Sequence, residues 1–209
     1  MKRILLTVMV MVAGLAVAAP DTFAQNSGRN ARAATRQEKM DAWHEDMAKF
    51  RARAAQEHRL SALTDSIASV QARAALQNQD FVLEADNVTF RNGATVFVNS
   101  NTNFISVKGN RAVVQISPSN MASGPNGVGG VTVDGTISGQ QIKQGKNGQI
   151  TFTMNVMGIG INAQVEIYMF PGSNEASATV YPNFNSNTVW LSGKIVPYEN
   201  SDVFEGMSL

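Results

Sequence analysis

The chain contains no cysteine among its 209 residues and only two histidines, His44 and His58. The missing thiols exclude disulfides, zinc–thiolate sites and cysteine nucleophiles. The histidines form no H-E-x-x-H pair, because Ala48 stands where the second histidine would be needed. The sequence therefore predicts neither a bound metal nor a cofactor.

Charge of one sign is also lacking, since 17 lysines and arginines face 16 acidic residues and the net charge is +1. Without a basic patch, nucleic acid is not predicted as a partner. Glu84 and Asp86 share one face of a predicted strand, where a carboxylate pair could perform acid–base chemistry or simply be solvated. No serine nucleophile motif is present, and the protein is predicted not to be an enzyme.

Long apolar runs are scarce, and the one that stands out covers residues 4–19. It follows Lys2-Arg3, precedes small residues up to Ala24, and is shorter than the roughly 20 residues of a membrane span. This pattern is typical of a secretory signal peptide, although an uncleaved anchor helix is the alternative. We predict a signal peptide over residues 1–24, a periplasmic or secreted protein, and no integral membrane span after cleavage.

A helical segment is predicted over residues 35–79, after a flexible linker over residues 25–34. Residues 35–79 contain no glycine or proline and are rich in good helix formers. Two apolar stripes with 3,4,3,4 spacing run along this segment. The first stripe consists of Met40, Trp43, Met47, Phe50 and Ala54, and the second stripe of Leu60, Leu63, Ile67, Val70 and Ala74.

The two stripes would lie roughly 145° apart on one continuous helix, so we predict a break near residues 59–61. The second stripe leads into the first strand and is expected to be buried against the core. The first stripe is expected either to pack on its own domain or to contact a partner through Trp43, Met47 and Phe50.

Alternating apolar and polar residues dominate residues 80–197, for example in "QITFTMNVMG" and "INAQVEIYMF". The stretch "NFISVKGNRAVVQIS" predicts a hairpin that turns at Gly109. Eight or nine short strands follow from this pattern, and they favour an antiparallel barrel or sandwich. Residues 198–209 are predicted to form a C-terminal tail.

The glycine-rich stretch "SGPNGVGGVTVDG" (123–135) invites comparison with phosphate-binding loops. It lacks the lysine and the serine or threonine of a P-loop, and a dinucleotide fingerprint would need glycine in place of Thr132. Because a strand rather than a helix is predicted to follow, no helix N-terminus would bind the anion. We predict a long connection between strands.

Three aromatic residues, Tyr168, Tyr181 and Trp190, stand at positions where alternation predicts a polar face. They could line a ligand cleft, or they could cover a second apolar layer beneath the helix.

The order of motifs resembles that of the exported bacterial family known as domain of unknown function 4251. The motifs are "FVLEADNVTF", "NFISVKGNRAVVQISP", "NGVGG", "ITFTMNV", "VEIYMF", "EASATVYP" and "LSGKI". The chain has Ile116-Ser117-Pro118-Ser119 where a Leu-Pro-Tyr-like turn is typical of that family. The resemblance implies an envelope or secreted β protein with an N-terminal helix, and it implies no known activity and no catalytic residues.

Two functional hypotheses follow. The first is a module that binds an apolar or amphipathic envelope ligand, and the alternative is a structural or interaction protein that docks on another envelope component through its helix. An apolar cavity of several hundred Å³ would favour the first hypothesis, and a filled core would favour the second.

Overall fold

The structure, a computed structural model, describes residues 22–117, 130–159, 162–183 and 188–206, with side chains from residue 32 onward. The predicted signal peptide up to residue 21 and most of the glycine-rich stretch lie outside the described residues. The described residues contain one α-helix, α1 (Thr22–Asn78), which includes the segment predicted as a linker, and one short 3-10 helix (Tyr198–Asn200). The strands are β1 (Asp80–Phe90), β2 (Thr95–Phe97), β3 (Phe104–Lys108), β4 (Arg111–Ile116), β5 (Val131–Gln144), β6 (Ile150–Gly158), β7 (Asn162–Met169), β8 (Glu175–Pro182) and β9 (Val189–Pro197).

The strands form a closed antiparallel barrel. Neighbours follow chain order from β3 to β9, and β1 closes the ring by pairing with β3 on one side and β9 on the other. The short strand β2 adds to the far half of β1 through Asn87–Thr89. The predicted fold class is confirmed, and of its two alternatives the barrel is the one that forms.

The interior of the barrel is occupied by the inward-facing side chains that alternation predicts. Phe81 and Phe152 meet edge to face with ring centroids 5.5 Å apart, and both are fully buried. An eight-stranded barrel is just wide enough for side chains to fill it. One continuous cluster of buried apolar residues joins all eight barrel strands.

The C-terminal end of α1 belongs to the same core through Ala72, Ala75 and Leu76, and Ser69 on the same side of the helix is buried as well. Gln79 ends the helix in the left-handed region (φ 56°), and its carbonyl accepts a hydrogen bond from the Gly109 amide at 2.8 Å.

A second contact anchors the same helix end. The Arg73 guanidinium donates to the Gly148 carbonyl at 3.3 Å. The turns β3–β4 and β5–β6 thus hold the end of the helix.

The predicted helix break is wrong, because α1 continues through residues 59–61. No glycine or proline lies in this part of the helix, and the Thr64 hydroxyl returns a hydrogen bond to the Leu60 carbonyl at 3.0 Å. Nothing in the local sequence therefore interrupts the ladder of helical hydrogen bonds.

The predicted burial of the second stripe is also wrong. Leu60, Leu63, Ile67 and Val70 are between 56% and 65% exposed. At 100° per residue, they lie roughly opposite Ser69, Ala72 and Leu76, the side of α1 that the barrel covers. The covered side carries mostly small side chains, and Ala72, Ala75 and Leu76 on it join the core cluster.

The C-terminal segment covers a small apolar layer on the outside of the barrel. The side chains of Val82, Phe104 and Val113 point outward, are fully or almost fully buried, and pack against Tyr198 and Val203.

Polar contacts hold the segment in place. The Gln115 side chain donates to the Phe204 carbonyl at 2.9 Å and accepts from the Gly206 amide at 2.8 Å. Arg111 binds Asp134 through two hydrogen bonds and Glu205 through one, and Asp134, followed by Glu205, raises the pKa of the Arg111 guanidinium. The predicted tail is therefore part of the fold up to residue 206.

Candidate docking surface on the helix

The chain divides into two compact units, Met1–Glu57 and His58–Leu209, and each unit carries one apolar stripe. In the first unit, Met40, Trp43 and Phe50 are 46%, 54% and 65% exposed, and Met47 is half-buried between its neighbours. On the opposite side of the helix, Glu45 and Lys49 form an ion pair at 2.7 Å. The helix in this unit is therefore amphipathic, and its apolar side is exposed.

The second unit presents the second stripe. Its four large aliphatic side chains lie one above the other along almost three turns, because residues three and four apart share a helix face. Neutral side chains border them at Thr64, Ser66 and Gln71, and Arg59 adds a positive charge beside Leu63. A face of this kind matches the helix-in-groove mode of recognition, in which residues i, i+3, i+4 and i+7 act as anchors.

The three aromatic residues predicted on polar faces lie on the outside of the barrel. Tyr181 and Trp190 are 41% and 39% exposed, and Tyr168 meets Phe170 edge to face at 5.1 Å. None of the three belongs to a buried apolar cluster of the described residues. The second apolar layer lies under the C-terminal segment instead, so these residues do not cover it.

The predicted carboxylate pair is divided between two environments. The Ser201 hydroxyl donates to Glu84 at 2.5 Å, which ties Glu84 to the C-terminal segment. Asp86 lies at a β-bulge where the β1–β9 register shifts between Ala85 and Asn87. His44 and His58 are exposed on the helix. Within the described ranges, no group of three histidine, aspartate or glutamate side chains could hold a metal ion.

The exposure of the second stripe was not predicted, although the sequence contains a signal for it. Ser69, Ala72 and Leu76 repeat at helical spacing on the other side of the same turns. Small residues at that spacing indicate close packing against a neighbour. Two sides of the helix could therefore face the barrel, and the more hydrophobic one is not the side that does.

Comparison with known proteins identifies the family. The model of the family "Domain of unknown function (DUF4251)" matches residues 65–195. A crystal structure of a DUF4251 family protein from Bacteroides eggerthii is 47% identical in sequence, and the match covers 68% of this chain and 96% of that one with a TM-score of 0.61. Among curated proteins, none matches this chain. The predicted resemblance is confirmed, and the chain belongs to the DUF4251 family.

Proposed function

We propose that the protein is an exported interaction protein that docks on another component of the bacterial envelope through α1. One observation carries this proposal: an uninterrupted helix presents large apolar side chains to solvent along both of its stripes. Contiguous exposed apolar surface of this kind marks interaction sites in folded proteins. No catalytic role is proposed for any residue.

The barrel supports this proposal over an internal ligand site. Phe81, Phe152, Met154 and Ile167 are fully buried within one cluster, and the end of α1 adds Leu76 to it. Side chains therefore occupy the space that a lipocalin-like ligand would need.

The second stripe defines the chemistry of the partner. Leu60, Leu63, Ile67 and Val70 would enter an apolar groove. The neutral residues Thr64, Ser66 and Gln71 require no charge on most of the groove's rim, and Arg59 would meet a polar or acidic group at one end of it. Large aliphatic anchors with a weakly polar border fit a groove on a protein.

The proposal that the protein is exported is based on the sequence before Gln25, which has two basic residues, an apolar run and then small residues. No helix among the described residues is long and apolar enough to cross a bilayer. Mass spectrometry of the protein from its native host is expected to find Gln25 as the first residue. Retention of Met1 through Ala24 would contradict export by cleavage.

The docking proposal is tested by size measurements in gently solubilised envelope extracts of the native host. The tagged wild-type chain is expected to migrate in a complex, and the Leu63→Lys, Ile67→Lys double variant as a free monomer. Val131→Lys is the matched control, because Val131 is also exposed but lies on β5. Circular dichroism checks that all three proteins are folded, and a double variant that stays in the complex would contradict the proposal.

A further inference from the structure

A shallow depression of about 200 Å³ lies on the outer face of the barrel, between β1, β8 and β9. Two backbone features shape it. The bulge at Asp86 shifts the register of β1 against β9, and Gly193 allows the two strands to approach, since a Cβ atom there would collide with the Glu84 carbonyl.

The depression combines hydrogen-bonding groups with an aromatic wall. Asp86, Asn87, Glu175, Ser192 and Lys194 contribute polar side chains, and Phe170, supported edge to face by Tyr168, contributes a ring. Within the described part of the chain, the side chains of these five polar residues make no hydrogen bond or ion pair. Their donors and acceptors are thus available to a ligand.

The aromatic surface continues along the sheet from the depression. Trp190 lies two residues from Ser192 on the same face of β9, about 6.6 Å away, and its cross-strand neighbours are Thr179 and Thr89.

A row is a line of cross-strand neighbours on adjacent strands. The next row on the same outer face contains Tyr181, whose cross-strand neighbour is Gln164, and Gln164 pairs in turn with Asn155. Exposed rings therefore alternate with amides and hydroxyls over three successive rows.

We propose that this face binds a short, uncharged oligosaccharide, with one sugar ring in the depression and the next over Trp190. The C–H-rich faces of a sugar pack on aromatic rings, and its hydroxyl groups exchange hydrogen bonds with amides, hydroxyls and carboxylates.

The charged side chains of this face favour an uncharged ligand over an acidic one. The depression carries the carboxylates of Asp86 and Glu175 against the ammonium of Lys194. This excess of negative charge disfavours uronic-acid chains, phosphates and nucleic acid. This surface is separate from the helix stripes, so the inference stands or falls independently of the proposed docking.

The test uses the fluorescence of Trp190. The chain has two tryptophans, so Trp43→Phe leaves Trp190 as the only one. This variant is titrated with cellotriose, mannotriose and the trimer of N-acetylglucosamine as neutral probes, and with trigalacturonic acid as the acidic probe. A saturable change in fluorescence is expected with at least one neutral probe.

Amide chemical shifts then measure the same titration in variants of the full chain. Trp190→Ala and Asn87→Ala are each expected to weaken binding about tenfold or more. Phe204→Ala is the matched control, because Phe204 is exposed but lies on the C-terminal segment, and its affinity is expected to be unchanged. Binding of no neutral probe, preference for trigalacturonic acid, or unchanged affinity in folded Trp190→Ala protein would each overturn the proposal.

Discussion

Two sides of the same turns of α1 differ in burial: one is covered by the barrel and the other is exposed. Ser69, Ala72 and Leu76 are buried in the barrel's core, whereas Ile67 and Val70, only a few residues away, are about 60% or more exposed. The exposed side is the more hydrophobic of the two. Apolar character alone therefore does not decide which side of a helix a domain covers.

The difference follows from shape and from polar anchors. Ala72, Ala75 and Leu76 are small or slender enough to join the buried cluster of the barrel, and Ser69 on the same side is buried as well. Arg73 and Gln79 then hydrogen-bond the turns of the barrel. If the larger side chains of the second stripe faced the barrel instead, they would hold the helix farther away. Arg73 and Gln79 could then not reach the turns. The exposure of the second stripe leaves it free for a partner.

The largest expected effect compares two leucines on the two sides. Leu76→Ala is expected to lower the free energy of unfolding by about 2–5 kcal/mol, because it leaves a cavity at a fully buried position. Leu63→Ala is expected to change it by no more than about 0.5 kcal/mol, because Leu63 is exposed. Urea denaturation of both variants measures the difference, and equal losses would contradict the assignment of the sides.

Replacing a small side chain by a larger one tests the same comparison of the buried and the exposed side of α1. Ala72→Leu is expected to cost about 1–3 kcal/mol, because extra methylene groups would push the helix away from the barrel. Ala62→Leu is the matched control at an exposed helix position, and it should be nearly neutral. If Ala72→Leu proved neutral as well, close packing at this position would be the wrong explanation.

Removing the start of the helix should matter less than either core change. Deletion of residues 25–50 is expected to leave the barrel folded, because the compact unit that contains it begins at His58. Thermal melts and hydrogen exchange measure the outcome. In the full chain, amides near Met40–Phe50 should open at lower free energy than those near Ala72–Leu76. Unfolding of the truncated chain would show that the first unit is required.

The smallest expected effect concerns pH and the C-terminal segment. Burial, and next the charge of Glu205, raise the pKa of the Tyr198 hydroxyl. A group whose pKa is higher in the folded than in the unfolded state contributes its full stability at a pH below its unfolded pKa, which for tyrosine is near 10. This contribution is lost as the pH rises through the folded pKa.

Stability between about pH 9 and about pH 11 should therefore fall slightly more in the wild type than in Tyr198→Phe. Denaturation at the two pH values measures the difference, and identical pH dependence in both proteins would argue against this environment for Tyr198.

The sequence predicted the strands well, and the reason is physical. In "NAQVEIYM" (162–169) the more buried and more exposed residues alternate as the pleat requires. The hairpin at Gly109 also formed, since a turn residue with φ 61° favours glycine. Closure into a barrel could not be predicted. Alternation shows which side chains of a strand are buried and which are exposed, but it does not show that β1 pairs with β9.

The surfaces were harder to predict than the fold. Trp43 and Phe50 are exposed, and their contact with a partner stays a prediction. The second stripe, predicted to be buried, is exposed as well, because hydrophobicity alone does not select the covered side of a helix. The depression beside Ser192 depends on a bulge at Asp86. A bulge adds one residue to one strand without any fixed sequence signal, so this site was visible only in the fold.

Docking of the second stripe is tested most directly by chemical protection in living cells of the native host. Since the chain lacks cysteine, Leu63→Cys and Asp65→Cys each carry one thiol, on opposite sides of the helix and both exposed. In the purified protein, both thiols should react with a small membrane-permeant reagent at similar rates. In cells, the thiol at position 63 should react about tenfold or more slowly while the thiol at position 65 is unchanged; equal reactivity of the two in cells would contradict a partner on the second stripe.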